Sequence, residues 1–80
     1  MYNGHKNWTH WNVALWLSGD PHLYFAAKAW LAAAGGNKDR AARGLYHALT
    51  HADFGTPTPQ TPDGARYSVT AIRAALRGKF

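Results

Sequence analysis

The chain has no cysteine, no glutamate, and no apolar run near the ~20 residues that a membrane-spanning helix needs. Without cysteine there is neither a disulfide framework nor a thiolate metal site, which fits a reducing cytoplasm. The start, M-Y-N-G-H-K-N, lacks a basic region followed by an apolar one, so no signal peptide is expected. Charged residues are scarce, 16% of the chain against the roughly 25% of an average domain. Hydrophobic residues reach 46%, with four Trp, four Tyr and three Phe, which argues against disorder over most of the length. Eighty residues supply one core and one domain. So small a body suits a binding module better than a deep, water-excluding catalytic cleft.

What is present is positive charge. Nine Lys and Arg face four acids, all Asp, for a formal net charge of +5. Three of the acids have local duties. Asp20 caps a helix, Asp39 sits in a helical first turn facing the dipole, and Asp63 belongs to a turn. The basic residues are therefore expected to stand largely uncompensated.

Punctuation along the chain is helical, and no segment sustains the period-two alternation of a strand. Asn7 caps a helix over 8–18 that stops at Gly19. Asp20 caps a second over 21–34, with Pro21 at the position where a missing N–H costs nothing and Gly35-Gly36 at its end. Asn37 opens a third over 38–51, and Ser68 a fourth over 69–77, with Tyr67 and Ile72 spaced as a hydrophobic staple. Residues 53–66 hold Pro57, Pro59 and Pro62 and a T-P-D-G turn, and read as an extended linker. The fold expected is all-α: a compact four-helix domain with a Pro-rich linker before the last helix.

Helical periodicity puts Ala41, Ala42, Leu45 and Leu49 on one face of the third helix, with Arg40, Arg43, His47 and His51 opposite. The fourth buries Val69, Ile72 and Leu76 and sets Arg73 and Arg77 side by side. In the first, Trp8, Trp11 and Leu15 form the expected core face, with Val13 and Leu17 as a second apolar patch. In the second, Leu23, Ala27, Trp30, Leu31 and Ala34 make the core stripe, while Phe25 lies on the far side with Ala29 and Ala32. Gly44, inside the third helix at a cost of about 1 kcal/mol relative to Ala, marks a close helix crossing.

The candidate partner-binding residues are Arg40, Arg43, His47, Arg66, Arg73 and Arg77, joined by Lys79, a surface suited to phosphates or to an acidic protein patch. The bland alternative is an ordinary solvated face. Trp16 and Phe25 fall off the core stripes, and each is either an exposed interface anchor or a second packing layer. His47 and His51 have a spacing that two zinc ligands can use, but no Cys or Glu completes a site, so no metal and no cofactor is expected. Ser18 and Ser68 sit at a helix end and a cap, His10 near Asn12 has no nucleophile beside it, and paired carboxylates are missing. An enzyme is not expected.

The segment N-G-H-K-N-W-T-H-W-N-V-A-L-W-L, Asn3 to Leu17, with D-P-H-L-Y after it, resembles a family of short phage-encoded proteins. Their usual start is N-x-x-N-[YW]-x-x-W-N-V-x-L-W; here one more residue separates the two asparagines. Matching positions are Asn3, Asn7, Trp8, Trp11, Asn12, Val13, Leu15, Trp16, Leu23 and Tyr24. The tail T-P-D-G-A-R-Y-S with A-I-R-A-A-L is similar too, whereas the third helix carries none of the likeness. Many relatives have Glu-Thr where this chain has Thr9-His10, so any role of that acid is absent. The resemblance implies phage origin, the cytoplasm of an infected bacterial host, and an anti-CRISPR role against type I systems, type I-C in particular. The implied partners are Cas proteins of the surveillance complex, near its DNA or guide-RNA path. The protein would act as a monomer, with direct nucleic-acid binding as the alternative.

Overall fold

Each helix begins where a short polar side chain closes its first turn. In the computed structural model, which describes residues 7–51 and 57–80, Asn7 Oδ1 accepts from the His10 amide at 2.9 Å. Asp20 Oδ1 accepts from the His22 and Leu23 amides, Asn37 Oδ1 from Arg40, and Ser68 Oγ from Ala71. These caps start α1 (Trp8–Gly19), α2 (Pro21–Ala33), α3 (Lys38–Thr50) and α4 (Val69–Lys79). The protein is an all-α, four-helix domain, and the helix ends differ from those read in the sequence by one or two residues. Gly35 and Gly36, at φ +64° and +86°, take the left-handed conformation that ends α2, with the Gly36 amide donating to Leu31 O. Among the described residues no strand forms, and no helix is long and apolar enough to cross a membrane.

The core is built from few large side chains and many alanines. Val13, Leu17, Leu45, Ile72 and Leu76 are fully buried, as are Ala14, Ala27, Ala41, Ala42, Ala71 and Ala75. Small residues at these positions let helix backbones approach closely. Both α1 and α3 pack on α4, while α2 closes over α1 and α3. The amphipathic faces of α3 and α4 and the core stripe of α2 lie as the periodicity places them.

α1 is turned the other way. Its buried residues are Asn12, Val13, Ala14 and Leu17, whereas Leu15 is 45% and Trp8 38% exposed. The helix is apolar all round, so periodicity cannot choose a face. The inward face carries Asn12, whose buried amide finds directional partners that hold this orientation.

Those partners come from the proline-rich connection. Residues 57–66 carry no helix, but they are fastened rather than slack; 52–56, with Asp53, lie outside the described residues. The Thr58 amide donates to Leu49 O, Tyr67 to Pro59 O and Thr61 to Ala65 O, and a tight turn at Gly64 (φ +94°) joins the last pair. Gln60 and Arg66 form an isolated antiparallel bridge. Thr61, Ala65 and Tyr67 are buried and complete the core.

At the α2–α3 crossing, a Cβ placed on Gly44 would lie 2.5 Å from two carbons of the Trp30 ring. Gly44→Ala therefore has two opposed effects. It gains about 1 kcal/mol of helix propensity, and it forces the half-buried indole off the core at roughly 1–3 kcal/mol for overpacking. The second dominates. Chemical denaturation should show Gly44→Ala less stable than the parent, with stability recovered when Trp30→Leu is added.

Candidate functional site

α3 and α4 lie against each other so that an acid on one meets an arginine on the other. Asp39 accepts from Arg43 Nε at 3.0 Å, one turn along α3, and from Arg73 Nη1 at 2.8 Å on α4. The two guanidinium groups, Arg43 first, hold the Asp39 carboxyl below its ordinary value. Arg43 and Arg73 are thus paired, contrary to the uncompensated face read in the sequence. The reason is tertiary: Asp39 serves the α3 dipole and an inter-helix bridge together. Arg40 and Arg77 are exposed, and their guanidinium groups make no ion pair among the described residues.

Arg66 stands exposed on the 57–66 loop, and no contact joins it to the α3–α4 group. The His47 ring stacks on His51, centroids 4.1 Å apart and 8° from parallel, and His51 Nδ1 lies 3.1 Å from His47 O. Among the described residues no three His or Asp gather as a metal site. The Lys79 side chain is not described.

Phe25 is 70% exposed, the most exposed large apolar residue described. It meets Tyr24 edge-on at 6.1 Å, and Tyr24 stacks on Phe80 at 5.2 Å. Lys28 Nζ lies 5.6 Å over the Tyr24 ring. Since Phe80 directly follows α4, this aromatic row links Phe25 to the helix that carries Arg73 and Arg77. Phe25 is thus an exposed apolar side chain with Lys28 against the neighbouring ring.

Trp16 is not exposed in that way. It is half-buried, and its Nε1 donates to Asp63 Oδ2 at 2.9 Å. The same oxygen accepts from Asn12 Nδ2 at 2.8 Å, while Asn12 Oδ1 accepts from the buried Thr61 hydroxyl at 2.6 Å. Thr61 Oγ1 in turn accepts from the Ala65 amide at 3.0 Å. Hydrogen bonds from Asn12 and then Trp16 keep the Asp63 carboxyl below its ordinary value. Asp63, read only as a turn residue, is the hub. The signal for it was Asn12 itself, an amide amid apolar neighbours on both sides of α1.

Beside this hub lies a cleft of about 460 Å³. Trp16, Leu23, Ala26, Leu49 and Pro62 form apolar walls, with Asp20, His22, Thr58 and Tyr67 among them. Tyr67 is 5% exposed, and its hydroxyl is buried with no hydrogen-bond partner among the described residues. Desolvation, then the nearby Asp20 charge, pushes it up to about 12.

A family model described as "Family of unknown function (DUF7249)" matches residues 1–76. No curated protein and no solved structure matches the chain.

Two outcomes follow from the Asp63 hub. Asn12→Ala leaves the Thr61 hydroxyl buried without its acceptor and should cost about 1–3 kcal/mol in denaturation. Asp39 and Asp63 both have lowered native values, so their stabilisation is full above the ordinary carboxylate value of 3.8 and is lost as pH falls below it. Melting temperature should drop on that acid limb, and Asp63→Asn should flatten the drop.

Proposed function

We propose that this chain, which belongs to the DUF7249 family, is a non-catalytic binding protein of phage origin that grips the type I CRISPR surveillance complex and keeps target DNA from binding. The observation that carries the reading is the exposed Phe25, joined through Tyr24 to Phe80 at the end of α4. An exposed aromatic beside a second ring that carries a lysine has the composition of an interface centre, where aromatic and basic residues supply much of the binding energy.

The sign of the charge sets the mode of action. A DNA-imitating inhibitor would be acidic, and this chain carries +5. It instead covers an acidic or mixed Cas-protein patch beside the DNA or guide-RNA path, with Arg40 and Arg77 steering the approach. Arg43 and Arg73 contribute less to steering, because Asp39 already neutralises part of their field. The work is done in the cytoplasm of the infected host, by a monomer of type I-C specificity. Direct nucleic-acid binding is the competing reading, favoured by Arg40 and Arg77, which make no ion pair among the described residues.

Purified surveillance complex incubated with the protein should retain it stoichiometrically on gel filtration and lose its affinity for target duplex. Arg40→Glu combined with Arg77→Glu should weaken this binding by about tenfold or more and steepen no salt dependence. Phe25→Ala should cost more than about 1 kcal/mol of binding while leaving the fold intact. Tight, salt-sensitive binding to bare duplex with none to the complex would overturn the reading and establish the competing one.

A further inference from the structure

We propose that the cleft between α2 and the 57–67 segment binds an organic cation: an amidinium, guanidinium or ammonium group carried on an apolar body. The site shares no residue with the arginine-bearing surface and does not rest on the function proposed above.

Its size comes first. About 460 Å³ lies within the roughly 300–1,000 Å³ of ligand pockets, and its walls are mostly apolar with a few polar groups between them. The second observation is the Tyr67 hydroxyl, buried at the edge of this space without a hydrogen-bond partner among the described residues. An unpaired buried phenol is costly, and a small movement of the Tyr67 ring toward the cleft lets its oxygen accept from an entering N–H group. Held up near 12, the hydroxyl stays protonated at physiological pH and offers its oxygen lone pairs to an N–H donor.

Charge then selects the ligand. Among the described residues no Lys or Arg lines the cleft, and the acid on its wall is Asp20. Asp20 caps α2 through Oδ1 alone, accepting from both the His22 and Leu23 amides. Oδ2 makes no hydrogen bond among the described residues. On a chain of net charge +5, the cleft carries the opposite sign to the surface. An anion would be repelled by Asp20, while the oxygen of Asp20 that the α2 amides leave open favours an entering cation. A cation with N–H donors satisfies Asp20 Oδ2 and the Tyr67 oxygen, while its stem lies against Trp16 and Leu23.

The test uses the full chain and benzamidine as probe, followed by amide and indole NMR shifts. Saturable shifts at Trp16, Leu23, Ala26 and Tyr67 are expected, with benzoate and benzyl alcohol binding at least about tenfold more weakly. Asp20→Asn keeps an N-cap oxygen on α2, so the fold survives. It should weaken benzamidine by about tenfold or more. Tyr67→Phe should weaken binding too, with a melting temperature equal to or above the parent's, because it removes an unpartnered hydroxyl. Acetyl-arginine amide is the second arm: saturable binding there assigns the cleft to a polypeptide side chain, and binding of benzamidine alone assigns it to a free amidine or amine. Failure of both probes to saturate, benzoate binding as tightly as benzamidine, or unchanged affinity in Asp20→Asn would each overturn the proposal.

Discussion

Asn12 stands inside α1 with 1% of its surface exposed, and a primary amide buried there needs partners for both its NH2 and its carbonyl. It finds them 49 and 51 residues away, in Thr61 and Asp63. Much of the fold follows from that requirement. Those bonds form with α1 turning Val13, Ala14 and Leu17 inward, and Trp8 and Leu15 lie at the surface. They also hold the proline-rich segment against the helices, and that segment brings Ala65 and Tyr67 into the core. In an interior made largely of alanines, hydrophobic burial per residue is small. A directional polar contact then does what shape alone cannot: it selects one packing of α1 among several apolar ones.

Local chemistry was legible in the sequence to the residue or nearly so. Asn7, Asp20, Asn37 and Ser68 cap the helices because a short oxygen-bearing side chain at those positions acts on amides two or three residues ahead. The core faces of α3 and α4 were legible because polar residues occupy their opposite faces. α1 was not, since a helix that is apolar all round gives a periodicity argument nothing to exclude. Gly44 was read as a close crossing, and the Trp30 ring lies where a Cβ would be.

The candidate surface shows the same division. The place of Phe25 off the α2 stripe left it either exposed or in a second packing layer, and the structure exposes it. The roles of Trp16, Arg43 and Arg73 depend on contacts between elements far apart in sequence, and no spacing rule exposes those. Trp16 and Phe25 were equivalent in the sequence, each an aromatic off its core stripe. Asp63 separates them by taking the Trp16 N–H. The two segments that carry the phage-family resemblance, the opening and the T-P-D-G tail, are the ones this contact joins.

Scarcity of acid ties these features together. Of the three acids among the described residues, Asp39 joins α3 to α4, Asp63 joins α1 to the loop, and Asp20 starts α2 while lining the cleft. None is left to lie beside Arg40 or Arg77. With these three carboxylates committed to holding the chain's own elements together, positive charge is left on the outside as a by-product of folding. Basicity alone is then weak grounds for a contact surface. What lends the α4 side weight is the exposed Phe25 joined to it through Tyr24 and Phe80, because an apolar ring left in water at 70% exposure contributes nothing to the fold that a smaller residue would not.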